Sequence, residues 1–118
     1  MKARSLVVAL TAAVVALLLV PVAAPKAAAP AATTVTVTMT EFKFALSKKA
    51  FPKGSVTFKL VNKGKVDHDF KIAGKKSKLI KPGKSGSLTV TLTKGTKAYI
   101  CTVAGHAAAG MKGSLKVT

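Results

Sequence analysis

The chain has 118 residues, of which 20 are basic and three are acidic, and its formal net charge is +17. This length accommodates one domain with a modest hydrophobic core. With only two histidines and one cysteine, and with no carboxylate pair or activated hydroxyl, the composition argues against hydrolytic enzymes and against enzymes that need a second metal cluster.

Residues 1–24 have the pattern of an N-terminal signal peptide. Lys2 and Arg4 provide a positive start, residues 6–20 are apolar with one exception, and a stretch of small residues follows, as signal peptidase requires. The alternative is an uncleaved membrane anchor, because residues 6–22 approach the shortest length that spans a bilayer. In both cases the positive flank places the rest of the chain outside the cytoplasm. We therefore predict an exported protein, located in the periplasm, outside the cell or on the outer face of the cytoplasmic membrane.

A short linker and one folded domain follow the signal segment. Residues 25–32, with the sequence PKAAAPAA, have the low complexity of a tether and no side chains that build a core. The folded domain is therefore predicted to comprise residues 33–118.

Apolar and polar residues alternate along this domain with a period of two. The apolar positions are Val35, Val37 and Met39, then Val56, Phe58 and Leu60, then Leu88, Val90 and Leu92. Each predicted strand therefore has one apolar face and one solvent-exposed face, which indicates antiparallel strands packed in two layers. Glycines interrupt the pattern about every ten residues, and no stretch keeps a helical period, so the fold class is predicted to be all-β, a β-sandwich.

The segment 99–113 carries three side chains that suit a soft metal ion. Cys101, the only cysteine, is followed by His106 and then by Met111. A thiolate, an imidazole and a thioether suit copper better than magnesium or calcium. A mononuclear copper site of this kind needs a second imidazole, and the chain has one other histidine, His68.

Strand parity indicates where His68 points. In the stretch 67–72 it shares a face with Phe70 and Ile72, so its ring is predicted to lie between the sheets. Each ligand also has an ordinary explanation: a satisfied polar histidine, an unpaired thiol or intermolecular disulfide, and a methionine that fills the core. The joint occurrence of all four at ligand-compatible places favours the metal site.

The pattern Cys101-x4-His106-x4-Met111, with His68 in an earlier strand, resembles the type 1 copper loop of the cupredoxins. The stretch CTVAGHAAAGMKGSLKV is especially similar to small plastocyanin-like and auracyanin-like members. The resemblance implies a Greek-key sandwich of about eight strands and one copper ion per chain. It also implies that the two histidines and Cys101 bind copper in a near-trigonal plane, with Met111 as a weak axial ligand. The implied function is a blue copper protein that shuttles single electrons between redox partners.

The same resemblance predicts a hydrogen bond between the two ligand segments. Family members usually carry a polar residue after the first histidine that bonds a hydroxyl residue after the cysteine. The matching positions are Asp69 and Thr102. A negative charge at Asp69 would favour Cu(II) and lower the reduction potential.

The residues around His106 and the lysines bear on partners. The neighbours of His106 are small, which predicts a flat apolar surface for the weak docking of electron-transfer partners. From residue 26 onward all 18 basic residues are lysines. They are either a solvated surface or they steer the protein to an acidic redox partner, such as a cytochrome or oxidase, or to an anionic membrane surface.

Other functions are weighed against this interpretation. Nucleic acid is a poor candidate, because the predicted domain lacks arginine and has few aromatic residues for stacking. A copper carrier or chaperone outside the cytoplasm is the alternative function. We expect a monomer that is not an enzyme.

Overall fold

The computed structural model describes residues 12–21 and 32–118. Residues 12–21 have no regular secondary structure, and no helix in the described ranges is long and apolar enough to cross a membrane. Most of the predicted signal segment, 1–24, and of the linker, 25–32, lies outside the described residues. Those two assignments, and the domain start at residue 33, therefore stay predictions.

Nine strands in two sheets make up the described part of the domain. They are β1 Thr33–Thr40, β2 Lys43–Leu46, β3 Ala50–Phe51, β4 Gly54–Asn62, β5 Lys71–Ile72, β6 Lys75–Lys76, β7 Ser85–Leu92, β8 Gly95–Ile100 and β9 Lys112–Val117. One sheet has the order β2-β1-β4-β7 and the other β3-β9-β8-β5-β6. The predicted all-β Greek-key β-sandwich is confirmed.

The apolar residues of the alternating pattern form the core between these sheets. Val35, Val37 and Met39 of β1 are fully buried, and so are the three predicted positions of β4. The polar residues between them face outward or are only partly covered. Burial of one face on each strand stabilises the sandwich, because each fully buried aliphatic or aromatic side chain contributes about 1.5–3 kcal/mol.

Two strand pairs run parallel, where the sequence predicted antiparallel strands. Strand β1 pairs in parallel with β4, and β3 pairs in parallel with β9. The alternating pattern reports which face of a strand is buried and says nothing about the direction of its neighbour. Strands β2 and β3, which lie between β1 and β4 in the sequence, join different sheets, and this crossing brings β4 back alongside β1 in the same direction.

The stretch 67–72 is less regular than a strand. Only β5, at its end, is paired in the ladder, and His68 forms one isolated bridge with Ile80. The predicted side-chain directions are nevertheless correct, since His68, Phe70 and Ile72 are buried and Lys71 is exposed. Asp69 breaks the alternation, because it is buried as well.

A cluster of aromatic rings lies within the core next to this stretch. Phe70 is 4.9 Å from Phe58 and 5.4 Å from both Phe44 and Tyr99, measured between ring centroids. Edge and stacked contacts of this kind add about 0.5–1.5 kcal/mol each to the burial of the rings. Because Phe70 is two residues from His68, the cluster gives the histidine segment a rigid base.

Candidate metal centre

Three donor atoms from two distant segments converge at one end of the sandwich. The Nδ1 atoms of His68 and His106 are 3.1 Å apart, and the Sγ atom of Cys101 lies 3.5 Å from His106 Nδ1 and 4.0 Å from His68 Nδ1. Candidate ligand atoms of these three residues all lie within 4.8 Å of one another. His68 and Cys101 are buried, and His106 is half-buried.

This triangle of donors fits a trigonal metal ion. Metal–nitrogen and metal–sulfur bonds of 2.0–2.3 Å, spread evenly in a plane, place the donor atoms about 3.5–3.7 Å apart. The observed separations of 3.1, 3.5 and 4.0 Å bracket these values. Two imidazoles and one thiolate are the donors of trigonal copper sites, so the residues present fit copper.

The ligand loop between β8 and β9 is held by its own backbone. Cys101 donates its N–H to the carbonyl of Met111 at 3.1 Å, and Met111 donates to the carbonyl of His106 at 3.0 Å. The N–H of His106 in turn bonds the carbonyl of Val103 at 3.0 Å. Met111 is fully buried. These backbone hydrogen bonds fix the spacing of Cys101, His106 and Met111 in the loop.

The histidine segment is held by Ile80. His68 donates its N–H to the Ile80 carbonyl at 3.1 Å and accepts the Ile80 N–H at 2.8 Å. The same Ile80 carbonyl also accepts a hydrogen bond from the fully buried amide of Asn62, at 2.8 Å. The role of Asn62 as a support for the site was not predicted from the sequence.

The predicted bond between the ligand segments is confirmed. The N–H of Thr102 donates to one carboxylate oxygen of Asp69 at 2.5 Å, and the Thr102 hydroxyl donates to the other oxygen. Asp69 is 4% exposed. A buried carboxylate that accepts two hydrogen bonds is satisfied, and it ties the residue after His68 to the residue after Cys101.

The Cys101 thiol is held in its protonated form when no metal is bound. Burial raises the pKa of Cys101, and this effect exceeds the lowering by the backbone N–H groups of Asp69 and Val103. Cys101 is the only cysteine and is not in a disulfide. A bound metal ion must displace the thiol proton, so metal affinity is coupled to proton release.

Two further residues at the site were not predicted from the sequence. In the turn between β1 and β2, the Glu41 carboxylate lies 3.3 Å from His68 Nε2, and the Phe42 ring meets the His106 ring edge-on with centroids 5.2 Å apart. The signal for Glu41 was its rarity, because it is one of only three acidic residues among 20 basic ones. Phe42 carries no comparable signal.

The fold and the site define the class of protein. The chain belongs to the cupredoxin-like domain family, which matches residues 10–115. The chain has no match among curated protein sequences. The recognition of a cupredoxin from the sequence is therefore confirmed, and copper as the cofactor is confirmed at the level of the family.

Solved structures of auracyanins are similar to this chain. A dithionite-reduced auracyanin from the photosynthetic bacterium Roseiflexus castenholzii is 25% identical with a TM-score of 0.62, over 75% of this chain and 99% of that one. Auracyanin B is 28% identical with a TM-score of 0.66, over 76% and 91%. Auracyanin A, a blue copper protein from the green thermophilic bacterium Chloroflexus aurantiacus, is 23% identical with a TM-score of 0.63, over 75% and 100%, and its likeness concerns the fold.

Proposed function

We propose that this protein is a type 1 blue copper protein that carries single electrons between redox partners outside the cytoplasm. One copper ion per chain would be held by His68, Cys101 and His106, with Met111 as a weaker fourth ligand. The observation that carries the proposal is the convergence of the two imidazole nitrogens and the thiol sulfur in one largely buried triangle.

The arrangement suits electron transfer because the donors accept both oxidation states of copper. Copper bound there supplies a one-electron couple between Cu(I) and Cu(II). The protein's part is to keep the donors where they are: the ligand loop is closed by backbone hydrogen bonds, and Asp69 ties it to the His68 segment. Donor atoms held by such surrounding bonds move little when the oxidation state of copper changes, and a small rearrangement favours fast electron transfer.

The surface at this end of the sandwich suits weak docking. The large apolar side chains exposed within residues 32–118 are Phe42, Val66 and Leu79, at 41%, 43% and 53%. Phe42 contacts the His106 ring, the Val66 N–H bonds Glu41 beside His68, and Leu79 precedes the Ile80 that pairs with His68. Apolar groups close to the ligands permit close approach of a partner without strong, slowly released contacts.

The remaining features of the proposal concern location and partners. The apolar stretch behind Lys2 and Arg4 supports export to the periplasm, the cell exterior or the outer face of the cytoplasmic membrane. The excess of lysine favours an acidic redox partner, such as a cytochrome or oxidase, or contact with an anionic membrane surface. The protein acts as a monomer and not as an enzyme.

Addition of Cu(II) to the purified domain tests the proposal. We expect an intense blue thiolate-to-copper absorption band at one copper ion per chain. The Cys101→Ser variant removes the thiolate and is expected to lose this band completely. A wild-type protein that stays colourless with Cu(II) contradicts the proposal.

Two buried methionines provide a matched test of the axial ligand. Met111 and Met39 are both fully buried, so Met→Leu at either position costs about the same in packing, below ~1.5 kcal/mol. We expect Met111→Leu to shift the reduction potential and the spectrum of the blue protein. Met39→Leu, in β1, is expected to leave both unchanged, and equal effects of the two changes would argue against Met111 as a ligand.

A copper carrier and an electron carrier differ in what they pass to a partner: the first transfers its copper ion, and the second transfers only an electron. An electron carrier exchanges electrons with a reduced cytochrome within milliseconds and keeps its copper. A chaperone releases copper to an apo-acceptor and exchanges electrons slowly. Stopped-flow measurement of cytochrome oxidation by the copper protein, followed by copper analysis of the separated proteins, distinguishes the two functions.

A further inference from the structure

The carboxylate of Glu41 lies against the outer edge of the His68 ring. Its Oε1 atom is 3.3 Å from His68 Nε2, on the side of the ring away from the Nδ1 atom that faces Cys101 and His106. The His68 side chain is fully buried, and the Glu41 side chain is 36% exposed. The carboxylate therefore lies within hydrogen-bond distance of Nε2, the ring nitrogen of His68 that does not face the other donors.

The backbone holds Glu41 in this position. The same Oε1 atom accepts the N–H of Lys65 at 2.6 Å and the N–H of Val66 at 3.2 Å. The hydrogen bond from the Lys65 N–H lowers the pKa of Glu41 and so favours the charged carboxylate. The two backbone N–H groups and the His68 ring all contact this one oxygen, so they hold the carboxylate in one orientation. An exposed glutamate on a turn otherwise samples many rotamers.

The chain leaves room for this contact at Gly64. A Cβ atom built on Gly64 would collide with Glu41 Oε1 and would lie 3.0 Å from His68 Nε2. The φ angle of Gly64 is not in the left-handed region, so the backbone there does not require glycine. The close approach of Glu41 and His68 gives a reason for the small residue.

The contact fixes the state of the histidine. A neutral imidazole has one N–H and one bare nitrogen, and a metal ion binds only the bare one. When Nε2–H donates to Glu41, Nδ1 is left without a proton and faces the two other donors. A carboxylate behind a ligating histidine also fixes the orientation of the ring toward the metal ion.

We propose that Glu41 is a positioning residue of the copper site, which holds His68 as the Nε2–H tautomer in a fixed ring orientation and stabilises Cu(II) over Cu(I). This proposal rests on the proposed function for its second half, because only a copper protein shows the oxidation-state preference. The first half concerns the polypeptide alone. A carboxylate stabilises the ion of higher charge, so Glu41 lowers the reduction potential.

Removal of the charge alone is the central experiment. Glu41→Gln keeps an oxygen that accepts the Nε2–H and the two backbone N–H groups. We expect this variant to keep the blue band, with the ratio of Cu(I) to Cu(II) affinity raised about tenfold, which raises the one-electron potential by about 59 mV. Glu41→Ala removes the acceptor as well and is expected to weaken Cu(II) binding about 10- to 100-fold. An unchanged potential in Glu41→Gln overturns the proposal.

Asp67 supplies the matched control for charge. It precedes His68, is half-buried and carries the same charge, but within the described residues the bond to His68 Nε2 comes from Glu41. Asp67→Asn is expected to shift the potential by less than a third as much as Glu41→Gln. Equal shifts would mean that charge near the site, and not the contact, sets the potential, and would overturn the positioning role.

Gly64→Ala tests the contact without changing the glutamate. The added methyl displaces Glu41 from His68, so we expect weaker Cu(II) binding and a raised potential with every charge retained. The circular dichroism spectrum and the unfolding midpoint of each variant show that the fold is kept. A Gly64→Ala protein that is folded and has the wild-type potential and copper affinity also overturns the proposal.

A copper-free measurement separates this proposal from the proposed function. Nitrogen-15 NMR of the histidine side chains reports which ring nitrogen of His68 carries the proton in the metal-free protein. We expect Nε2–H in the wild type and a mixture of tautomers in Glu41→Ala. A proton on Nδ1 in the wild type overturns the role of Glu41 whether or not the protein binds copper, and failure of copper binding with the expected tautomer would overturn the proposed function alone.

Discussion

Asp69 joins the two segments that carry the ligands. It accepts two hydrogen bonds from Thr102, a residue 33 positions later in the chain. Hydrogen bonds to a charged group contribute about 1.5–3 kcal/mol each, so this pair alone resists separation of the His68 segment from the Cys101 loop. Asp69 directly follows His68 and bonds the residue that follows Cys101, so its negative charge would stabilise the more highly charged state of a copper ion bound there.

Changing Asp69 is expected to affect the potential more than changing its partner. Asp69→Asn keeps the size and one acceptor but removes the charge. We expect the reduction potential of the copper protein to rise by about 60 mV, which corresponds to about a tenfold change in relative affinity. Thr102→Val removes only the hydroxyl and is expected to cost about 1 kcal/mol of unfolding free energy, with a smaller shift in potential. Redox titration and urea unfolding measure both quantities, and an unshifted potential in Asp69→Asn would count against this role.

At the scale of elements, Asn62 connects the end of β4 to the segments around the site. Its side-chain amide donates to the carbonyls of Val66 and Ile80, both at 2.8 Å, and its carbonyl oxygen accepts the N–H of Gly64 at 2.8 Å. Through Ile80 it supports the backbone of His68, and through the 64–66 turn it supports the position of Glu41. One buried side chain therefore satisfies the Val66 carbonyl and the Gly64 N–H, and it adds a second hydrogen bond to the Ile80 carbonyl that pairs with His68.

Asn62→Ala is expected to lower the unfolding free energy by about 2–4 kcal/mol, because it removes three hydrogen bonds made by a fully buried side chain. Copper is expected to dissociate faster from the variant, since His68 loses its support. Thr89→Val is the control: it removes an exposed hydroxyl that bonds Thr57 across two strands at 3.1 Å, and surface changes of this kind are usually within about 0.5 kcal/mol. Urea unfolding and copper release to a chelator provide the measurements, and similar stabilities of the two variants would contradict the support by Asn62.

At the scale of the whole molecule, the two signs of charge are distributed differently. The three carboxylates are Glu41, Asp67 and Asp69. Glu41 contacts His68, and the other two flank it in the sequence. Lysines occur on most strands and turns, including Lys65 and Lys112 beside the site segments, so the body is strongly positive, while all three carboxylates lie next to His68 in space or in sequence. The long-range field of the body governs encounter with a partner, and the local carboxylates act on the bound ion.

This distribution of charge predicts how ionic strength affects electron transfer. Oxidation of the copper protein by an anionic complex, ferricyanide, is expected to slow about tenfold as salt rises from about 0.01 to 0.5 M, because screening removes the attraction of the lysines. A cationic reductant, hexaammineruthenium(II), is the control and is expected to react faster as salt rises. Stopped-flow rates at several salt concentrations give both slopes, and the reverse signs would mean that the carboxylates dominate the encounter.

The sequence by itself determined the features that depend on local order. Alternation in 35–39, 56–60 and 88–92 established which residues face the core, because the strand period of two is a property of the backbone. The spacing of Cys101, His106 and Met111 placed three donors in one loop. Asp69, which follows His68, and Thr102, which follows Cys101, matched the cupredoxin pattern of a polar residue bonded to a hydroxyl residue. These assignments needed only residues that are close in the chain or a resemblance to relatives.

Only the tertiary structure decided what depends on the relative placement of distant segments. The parallel pairing of β1 with β4, the support of His68 by Ile80 and Asn62, and the contact of Glu41 with His68 join residues that are separated in the chain. Local patterns do not encode them, because the direction of a neighbouring strand and the partner of a buried polar group are set by competition among all segments for the same core. The contact of Glu41 with His68 is therefore a result of the fold, and not of the motif.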